Sequence, residues 1–244
     1  MKFKKIVGFG DSWMYGDELL DPTLLAADPE AHCCWVQNTD YREQYCFLGR
    51  LGQHYNVPTE NFGIPGGSLR SSIWTYLWWL QHEPDPTNCL VLVGLTEADR
   101  ETFYNPTHVH YSNDPPWNKF VHSTWVEYGS SVVDQDWRTM VKQHMVLSAC
   151  SGLRKLNYLE AVHFFNGQAA SGINLLQFHT MPPPVNTSIP SMIMPDHYWT
   201  VYFRDHPGNQ NRELIKSGGH PNEKGHEIIR DHLIVEIDRA ILAQ

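Results

Sequence analysis

The sequence predicts an α/β fold, a three-layer α/β/α sandwich whose central sheet is mainly parallel. Nearly continuous apolar runs at residues 3–9 and 89–93 are typical of strands buried on both faces. Apolar residues recur at helical spacing after Ser68 and again near the carboxyl terminus. Because strands and helices alternate along the chain, we expect parallel strands with helices on both faces of the sheet.

The amino-terminal part of the chain contains two predicted strands and one helix. Residues 3–9 form the first strand. Residues 16–40 mix Asp, Pro and Gly with short apolar groups, which indicates an irregular insertion. Residues 41–54 carry an apolar pattern of helical period, and residues 55–62 follow as a weak second strand.

A second helix is predicted after Ser68, a residue type that caps helix amino termini. Its apolar stripe consists of Leu69, Ile73, Leu77 and Leu80. Pro84 and Pro86 end this helix. The Cys-Leu-Val-Leu-Val run at residues 89–93 is the clearest buried strand in the sequence.

The carboxyl-terminal half is predicted to hold two further strands between two helices. The helices are expected at 135–156 and after residue 222, the latter with a stripe of Ile229, Leu233, Ile237 and Ile241. The strands are expected at 158–165 and 173–179. The short link between those two runs cannot contain the usual helical crossover of parallel strands, so the two strand assignments conflict.

Residues 1–244 are read as a single domain with long insertions, because no repeat, low-complexity tract or linker interrupts the pattern. The insertions are expected at about 16–40, 100–133 and 181–212. The last two are rich in Pro and aromatic residues. Long stretches without a sustained period are usually functional loops or lids in compact domains.

The composition is that of a globular protein with an acidic surface. The 244 residues carry a formal net charge of −9, and 41% of them are apolar. This charge opposes binding to nucleic acids and to anionic membranes. A homo-oligomer or a larger assembly stays open.

The five cysteines are odd in number and form no CxxC pair, although Cys33 and Cys34 are adjacent. Reduced thiols in a reducing compartment are therefore expected. The chain begins with a strand rather than a signal peptide, and no apolar run has the length of a membrane span. A cytoplasmic location is the expectation, with a virus particle as an alternative.

A candidate nucleophile lies at the end of the first strand, in the run Gly10-Asp11-Ser12. Open α/β sheets place their chemistry at the carboxyl ends of strands. A serine at this turn can share its proton with a base, and the N–H groups at the start of the next helix can face a developing anion. The competing interpretation is that Ser12 only caps that helix.

Four short blocks occur in order along the chain: Gly10-Asp11-Ser12, the loop around Gly66, Gly94-Leu95-Thr96-Glu97, and His220-Pro221-Asn222 before the last helix. This ordered set resembles the SGNH/GDSL hydrolase family. The resemblance implies a flavodoxin-like sheet and hydrolysis of esters or thioesters through an acyl-enzyme, with no metal or organic cofactor.

By position in the resembled blocks, Ser12 is the nucleophile, His220 the general base, and the N–H groups of Ser12 and Gly66 are oxyanion donors. The family's third block carries an Asn that donates to the oxyanion, whereas this chain has Thr96. A hydroxyl has one proton to donate and is shorter than an amide. Thr96 is therefore a candidate donor in a hole of altered shape.

The acid that usually precedes the catalytic histidine by three residues is absent, because Ser217 stands there. A backbone carbonyl could orient His220 instead. Asp205 or Asp196 from the last insertion could also supply the carboxylate, and Ser217 itself is a weaker candidate. The sequence does not choose among these, nor between them and a Ser–His dyad.

These features predict a serine esterase acting on small carboxylic esters or on O-acetyl groups of a glycan. The alternative is a binding or structural module that keeps the fold with little or no activity, for example in a virus particle. A metal-dependent hydrolase is a third idea, since His108 and His110 form an H-x-H that would share one face of a strand. Four tryptophans could line a substrate cleft or pack in a core or lid: Trp117, Trp125, Trp137 and Trp199.

Overall fold

A computed structural model gives the architecture of the chain. The structure describes residues 3–96, 98, 100, 102–104, 120–122, 151–180, 214, 216 and 219–242. Within these ranges the fold is α/β, with a parallel four-stranded sheet flanked by helices, as the sequence predicts. The helix predicted at 135–156 lies outside the described residues as far as residue 150, and the insertion predicted at 181–212 lies wholly outside them.

The sheet has the strand order β2-β1-β3-β6, and every neighbouring pair is parallel. Its strands are β1 (Lys5–Gly10), β2 (Thr59–Gly63), β3 (Cys89–Leu95) and β6 (Asn174–His179). From β1 the chain continues to β2, which pairs with one side of β1. It then crosses to β3, which pairs with the other side of β1. The order therefore changes direction at β1, and the carboxyl end of β1 is a place where open α/β sheets bind ligands.

The central strands are buried because their side chains alternate between two cores. Ile6, Leu90 and Leu92 point into one core, whereas Val7 and Val91 point into the other. This period of two is the geometry of a pleated strand, and apolar residues at every position allow burial on both faces. The near-continuous apolar runs in the sequence follow from this arrangement.

In the part of the chain that the structure describes, two long helices cover each face of the sheet. One face carries α4 (Phe47–Tyr55) and the terminal helix α7 (Glu223–Leu242), which contact each other. The other face carries α5 (Leu69–His82) and α6 (Ser151–Ala170). The side chains of Ile229, Leu233 and Ile237 are buried, which confirms the stripe predicted for the last helix.

The remaining elements are short. Three helices precede α4, namely α1 (Ser12–Tyr15), α2 (Pro22–Ala27) and α3 (Thr39–Tyr45). Single 3-10 turns occur at Val36–Asn38 and Pro86–Asn88. The strands β4 (Thr102–Tyr104) and β5 (Phe120–His122) form a separate antiparallel pair.

The strand predicted at 158–165 is wrong, because those residues lie inside α6. Tyr158, Ala161, Val162 and Phe165 are all buried in the core that α6 shares with α5. Their spacing of three, four and seven residues is that of one helix face, which a short apolar run does not distinguish from a strand. Because α6 directly precedes β6, it also supplies the helical crossover between parallel strands that the short predicted link could not contain.

The predictions for residues 16–54 need two further corrections. The stretch at 16–40 contains α2, a 3-10 turn and the start of α3, so it is not irregular throughout. The helix predicted at 41–54 is divided at Cys46, whose extended backbone ends α3 and begins α4. By contrast, α5 starts after Ser68 as predicted. The hydroxyl of Ser68 accepts a hydrogen bond from the N–H of Ser71.

Among the described residues, none of the helices is both long enough and apolar enough to pass through a bilayer. The four cysteines within the described ranges, Cys33, Cys34, Cys46 and Cys89, are free thiols.

Candidate active site

Ser12 lies directly beyond the carboxyl end of β1, as the first residue of α1. It does not cap the helix, because Asp11 is the N-cap and its carboxylate accepts from the N–H of Trp13 at 3.0 Å. The side chain of Ser12 is 5% exposed. The hydroxyl is therefore released from the capping role that the sequence left open for it.

Asp11 joins the carboxyl ends of three strands. Its Oδ2 accepts from the hydroxyls of Thr96 at 2.7 Å and Thr180 at 3.1 Å, which follow β3 and β6. The Arg100 guanidinium lies 3.6 Å from the same oxygen. Asp11 is fully buried, and a buried carboxylate is stabilised by several donors and a cation of this kind.

The contacts of Thr96 remove the reason for placing it in an oxyanion hole. A hydroxyl has a single proton, and that of Thr96 is directed to Asp11. While this bond persists, Thr96 has no donor for a substrate oxygen. We therefore assign Thr96 a role in holding β3 against the start of α1 and revise the sequence-based prediction.

His220 reaches Ser12 from the segment that precedes α7. Its Nε2 lies 2.9 Å from Ser12 Oγ, across 208 residues of sequence. The carbonyl of His220 accepts from the N–H of Lys216 at 2.8 Å. On the far side of the histidine, Asn222 donates from its N–H to the carbonyl of Leu214 at 3.0 Å. These two backbone hydrogen bonds join residues 220 and 222 to residues 216 and 214, and so hold the segment that carries the imidazole.

Glu18 orients the imidazole, a role that the sequence analysis missed. Its Oε2 lies 3.0 Å from His220 Nδ1 and accepts from the backbone N–H of His220 at 3.2 Å. The backbone of Glu18 is left-handed, with a φ of 64°. Asp196, Asp205 and Ser217, the residues considered for this role from the sequence, lie outside the described residues.

The sequence carried only a weak signal for Glu18. It follows Ser12 by six residues, beyond a four-residue helix that ends at Gly16 with a φ of 81°. A left-handed glycine after so short a helix turns the chain back towards the serine. The resembled blocks place the acid beside the histidine instead, so they gave no reason to consider the segment after Ser12.

The three side chains define the tautomer of His220. A carboxylate can only accept, so the bond to Glu18 Oε2 requires a proton on Nδ1. Nε2 of the neutral ring then carries a lone pair and accepts from the Ser12 hydroxyl. This is the arrangement in which an imidazole can remove a serine proton.

A second carboxylate, Asp17, lies beside the imidazole at a greater distance. Its Oδ2 is 3.8 Å from His220 Nε2. Its Oδ1 accepts from the thiol of Cys33 at 2.9 Å and from the N–H of Glu18 at 3.1 Å. The hydrogen bond from Cys33 lowers the pKa of the neighbouring Cys34 thiol to about 7. Cys33 and Cys34 thus lie next to the candidate site, on the side of Asp17.

Gly66 lies in the turn that follows β2, on the same edge of the sheet as Ser12. The turn is tied to β1 because Ile64 donates from its N–H to the carbonyl of Gly10 at 3.0 Å. The φ of Gly66 is 72°, a conformation that favours glycine. At Gly63 a Cβ would stand 2.3 Å from the backbone N of Tyr15, so the end of β2 packs directly on α1.

Several residues named from the sequence lie outside the described residues. They are His108, His110, Trp117, Trp125, Trp137 and Trp199. The predicted substrate cleft and the H-x-H metal pair therefore stay predictions.

No protein-family model and no curated protein sequence matches the chain. Solved structures with a similar arrangement include a member of the lipolytic protein G-D-S-L family from Veillonella parvula, at 13% identity, 93% coverage of each chain and a TM-score of 0.37. The lipase/acylhydrolase from Enterococcus faecalis is 17% identical over 97% of this chain and 95% of its own, with a TM-score of 0.35.

A third similar structure is one described as a carbohydrate esterase whose active site displays divergent catalytic and non-catalytic binding functions. It is 12% identical over 98% of this chain and 69% of its own, with a TM-score of 0.42. The chain is thus similar to solved GDSL proteins, the family that its motifs resemble.

Proposed function

We propose that the chain is a serine ester hydrolase of the SGNH type, with Ser12 as nucleophile, His220 as general base and Glu18 as the orienting acid. The observation that carries this proposal is the continuous chain of hydrogen bonds from Ser12 Oγ to His220 Nε2, and from His220 Nδ1 to Glu18. It joins the three functional groups that acyl transfer through serine requires.

In the acylation step, Ser12 Oγ attacks the carbonyl carbon of the ester while its proton passes to His220 Nε2. The imidazolium formed is stabilised by the Glu18 carboxylate on Nδ1. The tetrahedral intermediate collapses when the bond to the alcohol oxygen breaks. The proton on Nε2 moves to that oxygen, so the alcohol leaves neutral and the acyl group stays on Ser12.

Deacylation repeats the same proton transfers with water. His220 removes a proton from a water molecule as it attacks the acyl carbon, and returns it to Ser12 Oγ as the carboxylic acid is released. The groups that carry out both steps are side chains of this chain, and neither step calls for a metal ion or an organic cofactor.

The negative charge on the tetrahedral oxygen needs fixed donors. Ser12 is the first residue of α1, a position where a helix leaves its backbone N–H without an intrahelical acceptor. We assign this N–H and that of Gly66 to the oxyanion hole. Each such donor typically contributes about 3–4 kcal/mol to the stability of the transition state. Thr96 is left out because its proton is bound to Asp11.

For the substrate, we propose a small acyl group such as acetyl, on a simple alcohol or on a glycan. The 5% exposure of Ser12 supports a small acyl group, because access to its hydroxyl is narrow. The more exposed His220, at 22% of its side chain, leaves room for a larger alcohol on the leaving-group side.

The decisive experiment combines hydrolysis of p-nitrophenyl acetate with labelling by a fluorophosphonate serine probe. Ser12→Ala and His220→Ala are expected to abolish both signals while the circular dichroism spectrum stays unchanged. Ser171→Ala and His82→Ala are matched controls. Ser171 is exposed beyond the carboxyl end of α6, and His82 is exposed in the last turn of α5. Both controls are expected to behave as the unmodified protein.

Equal hydrolysis by the unmodified protein and by Ser12→Ala, together with an absence of probe labelling, would contradict the proposal. That result would favour the second candidate function, a binding module with this fold. The engagement of Thr96 by Asp11 is the observation in its favour, since it leaves the oxyanion with fewer donors than the resembled family provides. A series of p-nitrophenyl esters and an acetylated glycan would then separate a poor enzyme from a binding module.

A further inference from the structure

Three consecutive residues between α2 and α3 bring two sulfur atoms and one ring nitrogen together. Cys33 Sγ lies 3.9 Å from Cys34 Sγ and 3.7 Å from His32 Nδ1. All three atoms lie within 4.8 Å of one another. None of these residues belongs to the chain of hydrogen bonds at Ser12.

The two separations from Cys33 Sγ are close to those between the ligands of a tetrahedral metal ion. Zinc binds thiolate sulfur at about 2.3 Å and imidazole nitrogen at about 2.0–2.1 Å. In a regular tetrahedron with those bonds, two sulfurs are about 3.8 Å apart, and a sulfur and a nitrogen are about 3.6 Å apart. The measured 3.9 and 3.7 Å are close to these edges. Binding therefore requires little movement of Cys33 relative to its two neighbours.

The histidine is in the form that a metal needs. Its Nδ1 accepts from the backbone N–H of Cys34 at 3.2 Å, so that nitrogen carries a lone pair rather than a proton. A metal ion would take this lone pair in place of a long, weak hydrogen bond.

The backbone of the loop is held at Cys33. Asn38 is fully buried, and its amide donates to the carbonyls of Cys33 at 2.8 Å and Leu19 at 2.7 Å. Its carbonyl oxygen accepts from the N–H of Asp21 at 2.9 Å. The guanidinium of Arg42 also donates to the carbonyl of Cys33, at 3.5 Å. These hydrogen bonds fix the backbone of the loop that carries Cys33 and Cys34.

The carboxylate of Asp17 lies beside Cys33, outside the three residues whose ligand atoms all lie within 4.8 Å of one another. Asp17 Oδ1 lies 2.9 Å from Cys33 Sγ, on the side of the cluster that faces the proposed catalytic residues. The other oxygen of the same carboxylate is 3.8 Å from His220 Nε2. A zinc site with three protein ligands takes a water molecule as its fourth ligand.

We propose that His32, Cys33 and Cys34 bind one thiophilic divalent ion, zinc being the physiological candidate, with a water molecule in its fourth position. Two thiolates and an imidazole select such ions over magnesium or calcium, which prefer oxygen. The site is distinct from the proposed catalytic residues, and the hydrolysis described above does not pass through the ion.

Cobalt(II) is the probe for the test, because thiolate ligands give it an intense charge-transfer absorption and a tetrahedral site gives it characteristic visible bands. The full chain, reduced with a phosphine, is expected to bind one equivalent of cobalt with both signals. Zinc is expected to displace the cobalt and to remove them.

The variants Cys34→Ser and His32→Ala are expected to weaken cobalt binding at least about tenfold, since even outer-shell partners of a metal site are worth that much. The matched control is Cys89→Ser. Its sulfur lies at the start of β3 and contacts the carbonyl of Asp85, at the opposite edge of the sheet from Ser12. This variant is expected to bind cobalt as the unmodified chain does.

Two results overturn the proposal. The first is an absence of thiolate-to-cobalt absorption in the unmodified, reduced chain, which needs no variant and no assumption about folding. The second is an undiminished absorption in Cys34→Ser and His32→Ala, which would place the ion at other residues. Because the readout is spectroscopic, a chain that fails to hydrolyse esters can still pass or fail this test.

Discussion

A single carboxylate oxygen of Glu18 accepts two hydrogen bonds from His220, one from the ring Nδ1 at 3.0 Å and one from the backbone N–H at 3.2 Å. The first bond sets the tautomer of the imidazole, and the second positions the segment that carries it. The two residues are 202 positions apart, so this contact joins opposite ends of the chain.

Replacing Glu18 by Gln is expected to lower kcat for p-nitrophenyl acetate roughly 10²–10⁴-fold with little change in KM. The amide keeps the size of the side chain but removes the charge that would stabilise the imidazolium, as loss of the acid does in known serine hydrolases. Glu43→Gln, at an exposed residue of α3, is the matched control. An unchanged kcat in Glu18→Gln would show that the orienting group is not this carboxylate.

Removing the Asp11 carboxylate is expected to destabilise the fold. Asp11→Ala removes the buried anion beside Arg100 and the acceptor of the Thr96 and Thr180 hydroxyls. Breaking a buried ion pair typically costs about 3–5 kcal/mol. Urea denaturation followed by circular dichroism measures this loss. Asp231→Ala, at an exposed pair with Arg230, is expected to change the free energy of unfolding by less than about 0.5 kcal/mol. Equal losses in the two variants would contradict the anchoring role of Asp11.

Thr96→Val separates a structural role for this hydroxyl from a catalytic one. If the hydroxyl serves only Asp11, the free energy of unfolding falls by about 1–3 kcal/mol, because a buried carboxylate oxygen loses a donor. The kcat of the folded variant is then expected to fall less than tenfold. A fall of about 10²-fold in kcat with unchanged stability would instead restore Thr96 to the oxyanion hole. Thr96→Ser, which keeps the hydroxyl, is the control for both measurements.

The stability of the fold is expected to fall in mild acid because two histidines are buried. Burial lowers the pKa of His226 to about 3 and that of His179 to about 4, against 6.5 in the unfolded chain. The unfolded state therefore binds more protons between about pH 4 and 6.5. The stabilisation is present above pH 6.5 and is lost as the pH falls towards the folded pKa values. At pH 5 each histidine accounts for about 2 kcal/mol of this loss.

Urea titrations at pH 7 and pH 5 test this dependence. In His226→Gln the drop in the free energy of unfolding between the two pH values is expected to be smaller by about 2 kcal/mol. His54→Gln, at an exposed histidine of α4, is expected to keep the full drop. An identical pH dependence in His226→Gln and the unmodified chain would mean that His226 is not buried in its neutral form.

The sequence predicted the sheet well where the physical signal is local. The strands around Val7 and Val91 are apolar at successive positions because both of their faces are covered, and such runs are visible without any knowledge of partners. The start of α5 was equally clear, because the capping bond of Ser68 is made three residues away. The error at 158–165 arose because a short apolar run fits both periods, and only packing against α5 decides between them.

By itself, the sequence determined the α/β class, the sheet strands β1, β3 and β6, and the positions of Ser12 and His220 at the ends of elements. The tertiary structure decided which groups meet: Glu18 contacts His220, and Asp11 is the acceptor for Thr96. The physical reason is that periodicity and capping act over a few residues, whereas a hydrogen bond depends on where the fold carries two distant side chains. Nothing in the sequence shows that Glu18 and His220, which are 202 positions apart, bring Oε2 and Nδ1 to 3.0 Å from each other.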